Sequence, residues 1–359
     1  MLKLKKYKKK IKKIFAGKSP QGKSKSKVFR AIRSQLEDLY RSGLKSAPPI
    51  TVPLALISQI QRSGGSLLSQ LFDGHPEIYA HPDELKIGYP EKYIWPKIDL
   101  KDSPENWFRI LFEASVIKHF RKGYNKGHKS EKTFPFIFLV SLQEKIFFKY
   151  LDSLESVTLR DIFNAYMSSY FGSWLNYHNI YGAKKFITGF TPRLSMSKEN
   201  MEFFFKVYPD GRLISIIRDP RNWFPSAARH RSKEYSEYSD IRRAITQWNE
   251  NALSMLKNKE RYKHRVIIIS FEDLIQNTEP VMRSLADFLN IEFGDILTVP
   301  TFNRFPMVAN TSFRPEKAGS VDSSTLTRYQ NLAHGELDII DKMTRATYQN
   351  VLNEAARAE

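Results

Sequence analysis

The 359-residue sequence contains no cysteine. That excludes a disulfide framework, a cysteine-based metal site and a thiol nucleophile. No apolar run approaches the ~20 residues of a bilayer span, and the most apolar stretch, Phe134–Leu142, is too short. The charged start of the chain lacks the apolar segment of a secretory signal, so a cytoplasmic location is expected. Internal repeats are absent. Acidic residues are missing from positions 1–30, which hold 13 of the 57 lysines and arginines; the remaining 44 face 38 acidic residues. Most of the net charge of +19 therefore belongs to the first 30 residues. A body this mildly basic suits a pocket for a polyanion better than a broad nucleic-acid surface, and no specific nucleic-acid partner is expected.

With 41% hydrophobic residues the chain can bury a substantial core. Its organising stretch is Leu54–Glu84. Leu54, Ala55, Leu56, Ile57 and Ile60 read as a strand buried on both faces. Arg62-Ser63-Gly64-Gly65-Ser66 then turns the chain into a helix carrying Leu67, Leu68, Leu71 and Phe72. A loop bearing His81, Asp83 and Glu84 is expected to follow. Two glycines permit a sharp turn and close ligand approach. The first N–H groups of a helix, with its dipole, favour an anion. Arg62, Ser63 and Ser66 add donors. A turn of this kind also occurs without any ligand. The P-loop of ATP and GTP enzymes requires a lysine just before the final hydroxyl residue, and Gly65 stands there.

Further strands are expected at Lys184–Thr191, Leu213–Ile217 and Arg265–Phe271. Helices are expected from Ser103-Pro104 through Phe120, over Leu159–Tyr177, from Ser197 to Tyr208, from Ser239-Asp240 to about Arg261, from Thr278 to about Asn290, and from Gly335 to Ala356. Strands separated by helices predict an α/β fold: a single three-layer domain over residues 51–359, with a central, mostly parallel sheet flanked by helices. Residues 1–50 are expected to form a basic extension. Within it Leu4, Tyr7, Ile11, Ile14 and Phe15 fall at helical spacing among lysines, so residues 1–27 are expected to meet an anionic membrane surface peripherally. Gly17–Lys27 reads as a linker, and Val28–Tyr40 as a further helix. The aromatic stripe of Leu159–Tyr177 is expected to be core.

Ligands of parallel sheets bind at the carboxyl ends of the strands. Arg218 follows one such end, and Ser226 lies eight residues on. An arginine fork and a hydroxyl converging there would hold a second phosphate. Asp219 could equally pair within its own loop.

Taken together, these motifs resemble the sulfotransferases that use 3′-phosphoadenosine 5′-phosphosulfate (PAPS), in particular the carbohydrate and tyrosylprotein branch. QRSGGSLLSQLFDGHPEIYAHPDEL resembles their 5′-phosphosulfate loop, in which PRSGTTLL leads to HP and then to a GEE pair. Arg62, Ser63, Gly64, Ser66, Leu67, Leu68, His75, Pro76 and Glu84 match, whereas Gln61 replaces a proline and Gly65 a threonine. Arg218-Asp219-Pro220-Arg221 with Ser226 resembles the 3′-phosphate motif, RVIIISFEDL the strand that bears EDL, and Ala309–Phe313 an NSSF segment. Arg314 and Lys317 lie where a basic loop closes over the nucleotide. The resemblance implies a fold like that of P-loop nucleotide hydrolases and a PAPS donor without a metal. It implies donor contacts from residues 62–67, Arg218, Ser226, Arg314 and Lys317. It further implies catalysis by Arg62 and by Glu84 as general base, with Asp83 and His81 as alternatives, on a hydroxyl-bearing acceptor, a carbohydrate or another glycan- or lipid-linked one. A nucleotide kinase or hydrolase, and a nucleic-acid-binding protein acting through its basic tail, are the rival readings.

Overall fold

The computed structural model describes residues 20–86, 93–124, 133–229, 238–307, 318–321 and 323–356. Strand β1 (Leu54–Ile57) is buried at every residue. Its side chains alternate between two cores. Leu54 and Leu56 pack with Phe163, Tyr166 and Phe204, whereas Ala55 and Ile57 pack with Leu68, Leu71 and Leu285. A strand apolar on both faces needs a helical layer on each side. β2 (Ile78–Glu84), β3 (Phe186–Phe190), β4 (Arg212–Ile217) and β5 (Val266–Ser270) complete a sheet of order β2-β3-β1-β4-β5. Every pairing in it is parallel, as the alternation of strands and helices required. A small antiparallel ribbon, β6 (Thr301–Phe302) with β7 (Phe305–Pro306), lies outside it.

The helices are α1 (Pro20–Ser46), α2 (Gly65–Phe72), α3 (Pro104–Leu111), α4 (Ser115–Lys122), α5 (Val140–Asp152), α6 (Leu159–Ser173), α7 (Lys198–Val207), α8 (Pro220–Ala228), α9 (Ile241–Tyr262), α10 (Phe271–Gln276), α11 (Thr278–Leu289) and α12 (His334–Glu354). Side chains of α5, α6 and α7 cover one sheet face, and those of α2 and α11 the other. A third apolar cluster joins α8, α9 and α12 to Ile60, Ile217 and Ile268. Caps fix the helix starts: Ser103 accepts from the Asn106 amide, Ser197 from Asn200 and Asp240 from Arg243. The aromatic stripe of α6 is core, with Ile162, Phe163, Tyr166 and Tyr170 buried.

Four expectations are corrected. The presumed carboxylate loop after α2 is β2, a strand on the sheet edge. An edge strand needs ladder bonds on one side only, so it accommodates Pro82, and its register with β3 shifts between Ala80 and Glu84. The helix expected from Ser103 through Phe120 is broken after Leu111. In the break sits Glu113, fully buried, which accepts bonds from the Lys86 amide and the Tyr166 hydroxyl and faces His81. These partners lie outside the helix and draw the chain away from its axis. Helix α1 starts at Pro20, inside the presumed linker; proline suits a first helical turn, and the lysines after it are adequate helix formers. Finally, the Glu-Asp-Leu segment belongs to α10 rather than to β5, because Ser270 accepts from the Asp273 amide and caps a helix there. Residues 1–19 lie outside the described residues, as do the NSSF-like segment, Arg314 and Lys317.

Candidate functional site

Because the sheet is parallel, all five strands end at one edge. β1 is followed by neighbours on opposite sides, β3 and β4, which is where a crevice opens in this topology. The loop leaving β1 is bent by Arg62 and Gly64, with φ of 68° and 98°. A Cβ on Gly64 would lie 2.5 Å from the Phe271 ring, and one on Gly65 2.3 Å from the Gln59 amide nitrogen. Helix α2 therefore begins on a glycine and has no side-chain cap, which leaves its first-turn N–H groups for a ligand. The Ser63 hydroxyl is buried and has no hydrogen-bond partner among the described residues. Ser66 is partly exposed in the first turn. The Leu67 side chain is in the core beneath, so only its backbone is available to the crevice.

The loop is held from behind. Trp223 Nε1 donates to the Gln61 carbonyl at 2.7 Å, and the Ile60 amide donates to Asn251 Oδ1 at 2.8 Å. Gln61, which stands where the resemblance has proline, uses its side chain as a fastener. Its Oε1 accepts from Arg193 Nε at 2.8 Å and from the Tyr238 hydroxyl at 3.0 Å, and its Nε2 donates to the Tyr93 hydroxyl at 3.1 Å. The second loop is fastened the same way, with Trp248 Nε1 donating to the Arg218 carbonyl at 3.0 Å. Both indoles are fully buried.

The two sequence motifs meet. Arg218 Nη1 donates to the Arg62 carbonyl at 2.8 Å, and Arg62 Nε donates to Ser226 Oγ at 3.2 Å. Arg218 lies over the Phe271 ring, 4.3 Å from its centroid. Burial, and after it the charge of Arg328, push the Arg218 guanidinium down to about 9, so it remains charged at neutral pH. Burial also lowers Arg62. Arg328 is itself buried. Close to Arg218 lies Glu272, which burial pushes up to about 7 despite the pull of that arginine; it accepts from the Asp219 amide at 3.1 Å. Asp219 is engaged by Arg221 at 2.8 Å, so the second arginine of the motif serves its own loop. Buried like charges are costly without counter-charge. Arg62 and Arg328 both bring positive charge to Arg218, against which Glu272 and Asp219 set the nearby negative charge, so the place is suited to an anion.

The three candidate bases differ in their surroundings. Glu84 ends β2 opposite Phe190, is partly exposed, and its side chain makes no hydrogen bond or ion pair among the described residues. Asp83 faces His119 Nε2 at 3.4 Å. His81 is buried, with Nε2 3.1 Å from Glu113 Oε1 and Nδ1 3.0 Å from the Asp83 carbonyl. Burial opposes its charged form, but the Glu113 carboxylate outweighs that and raises it above the ordinary value. Both of its ring nitrogens are thus engaged.

The sulfotransferase family model matches residues 53–295. The chain belongs to this family. The matched span of this sulfotransferase includes Arg62, Glu84, Arg218, Ser226 and Glu272, but neither α1 nor Arg328. No curated protein matches it. Among solved structures it resembles the sulfotransferase domain from the curacin biosynthetic pathway, with 17% identity over 83% of this chain and 99% of that one, at a TM-score of 0.48. It also resembles the sulfotransferase domain of the Synechococcus PCC 7002 olefin synthase, with 16% identity over 83% and 97% of the two chains, at a TM-score of 0.44. Sequence reasoning missed Arg328, which lies in the 3₁₀ segment Ser323–Asn331, a stretch without a motif. It quoted Glu272 without a role, although an acid just past a strand end, on the same sheet edge as Arg218, was a usable signal.

Proposed function

We propose that this sulfotransferase takes its sulfuryl group from PAPS and transfers it to a hydroxyl of a carbohydrate acceptor. The observation carrying this reading is the convergence of Arg62, Arg218, Arg328 and Ser226 beside the glycine-bent start of α2. A donor with two phosphate positions needs donors from two loops, and the loops after β1 and β4 both supply them there; the Ser63 hydroxyl, without a hydrogen-bond partner among the described residues, and the Gly64 bend fit an approaching oxyanion. In this reading Arg62, Ser63, Gly64, Gly65, Ser66 and the Leu67 amide hold the 5′-phosphosulfate, and Arg218 and Ser226 hold the 3′-phosphate. PAPS supplies a sulfuryl group already joined to a phosphate leaving group.

The chain's own work is then positioning and charge stabilisation, as in phosphoryl transfer. Arg62 balances the charge that grows on the bridging oxygen. Glu84 takes the acceptor proton as the new oxygen–sulfur bond forms and the old one breaks; a carboxylate with no partner among the described residues is suited to that task. His81, with both nitrogens engaged, and Asp83, beside His119, are less suited. A nucleotide kinase is disfavoured by Gly65 at the lysine position of the P-loop.

Calorimetric titration with 3′-phosphoadenosine 5′-phosphate and with adenosine 5′-monophosphate tests the assignment. A charge-assisted hydrogen bond contributes ~1.5–3 kcal/mol. Arg218→Ala should therefore weaken the first ligand roughly tenfold or more and leave the second nearly unchanged. Equal losses for both ligands would overturn the assignment of Arg218 to the 3′-phosphate. A radiolabelled transfer assay across carbohydrate, phenolic and lipid hydroxyls then identifies the acceptor.

A further inference from the structure

Helix α1 is 27 residues long, or about 40 Å at the α-helical rise. Its C-terminal part is seated on the domain. There the Tyr40 hydroxyl meets Ser141, Lys149 Nζ donates to the Leu44 carbonyl at 2.7 Å, and a Cβ on Gly43 would lie 2.7 Å from Leu142. Before Tyr40, Val28, Ile32, Leu36 and Leu39 fall four, four and three residues apart. That spacing places them on one face of the helix. Their exposures are 54, 45, 48 and 39%. The row runs on into the seated end, where Leu36 lines a groove with Tyr40, Ser141 and Lys145; ahead of that groove its exposed aliphatic side chains form a patch that calls for a partner.

Charge selects among the occupants. Residues 20–46 contain seven basic and two acidic residues. The two acids already face basic residues of the same helix, Glu37 with Arg33 at 2.9 Å and Asp38 with Arg41 at 3.9 Å. Residues 1–19 add nine lysines and no acid. A second copy of α1, or the preceding segment folded back on it, would bring positive charge against positive charge. An anionic lipid surface offers the opposite: an acyl layer for the aliphatic row and headgroup charge for the basic residues beside it.

We propose that the exposed face of α1, carried by Val28, Ile32, Leu36 and Leu39, docks on an anionic phospholipid bilayer. The contact expected from residues 1–27 thereby extends past them onto the helix that is fastened to the folded domain. This inference is independent of the donor and acceptor assigned above.

The test uses the full chain and sedimentation with vesicles of phosphatidylcholine, with and without phosphatidylserine. The protein should sediment with the anionic vesicles and not with the neutral ones. The double substitution Ile32→Ser and Leu39→Ser keeps every charge and should reduce the bound fraction at least tenfold in partition coefficient, with the melting temperature unchanged. A second pair, Val28→Ser with Leu36→Ser, should act alike. Equal sedimentation of wild type and both variants would overturn the proposal, leaving charge alone as the cause of binding. No sedimentation of the wild type would also overturn it. A dimer in light scattering that either pair converts to monomer would assign the face to a second copy instead.

Discussion

Replacing Glu272 with glutamine should stabilise the protein, and by an amount that depends on pH. The carboxyl rises from an ordinary 4.5 to about 7, because burial outweighs the attraction of Arg218. The folded state thus holds a proton that the unfolded state has released. Below about pH 4.5 both states are protonated and the group costs nothing. Between pH 4.5 and 7 the native state loses stability as pH rises, by up to about 1.4 kcal/mol per pH unit. Above pH 7 the full cost is present, about 3 kcal/mol on this shift. Glutamine imitates the protonated shape and cannot ionise. Urea denaturation of wild type and Glu272→Gln at half-unit steps from pH 4 to 8.5 should give curves that nearly coincide at pH 4. They should separate steadily in favour of the variant until about pH 7 and run parallel beyond. A constant difference at every pH would refute titration of Glu272 in this window. A wild type that gains on the variant as pH rises would reverse the sign, and would mean that Arg218 holds Glu272 ionised.

Other expectations concern the loops and the chemistry. Glu84→Gln should lower turnover by ~10²–10⁴-fold with little change in nucleotide affinity; an active Glu84→Gln enzyme beside an inactive Asp83→Asn enzyme would move the base to Asp83. Trp223→Phe removes the 2.7 Å bond to the Gln61 carbonyl and leaves a buried acceptor unpaired, so stability should fall by ~1–3 kcal/mol, read from the denaturation midpoint, and an unchanged midpoint would show that the indole is not a fastener. Gly64→Ala places a methyl against the Phe271 ring at a φ that alanine adopts only with strain of ~1–3 kcal/mol. Since that ring underlies Arg218, nucleotide binding should weaken even where the variant folds, and calorimetry with 3′-phosphoadenosine 5′-phosphate measures the loss.

The legible parts of the fold were those that local chemistry dictates. β1, β4 and β5 are short apolar runs buried on both faces, and the helices capped by Ser103, Ser197 and Asp240 announce themselves by composition. β2 was not legible, because an edge strand is freed from the two-sided burial that makes an inner strand conspicuous, and its last four residues carry a histidine, a proline and two acids. The break before α4 was hidden for a related reason: Glu113 is buried by partners 27 and 53 residues away in the chain, and no local pattern records them. At the candidate site, Arg62, Arg218 and Ser226 were visible as strand-end residues. The tertiary fold adds what spacing could not express: the contact between Arg62 and Ser226, the presence of Arg328, and the way Gln61 knits its loop to Arg193, Tyr93 and Tyr238.

The outer strands of the sheet have a consequence for handling the protein in concentrated solution. A parallel sheet ends in two rows of open backbone groups, each a template on which a strand from another molecule can be laid down. On the β2 side, Pro82 offers no N–H and the register shift bends the row. On the β5 side, the Ala356 amide donates to the Ile268 carbonyl at 2.9 Å, so the chain blocks its own template after leaving α12. The two guards differ in durability. The one on β2 is built into the strand, whereas the one on β5 depends on a short stretch remaining in place. Shortening the chain ahead of Ala356 would reopen a strand with four successive apolar residues, Val266–Ile269, to its neighbours, and material prepared that way should cloud on concentration sooner than the full chain does.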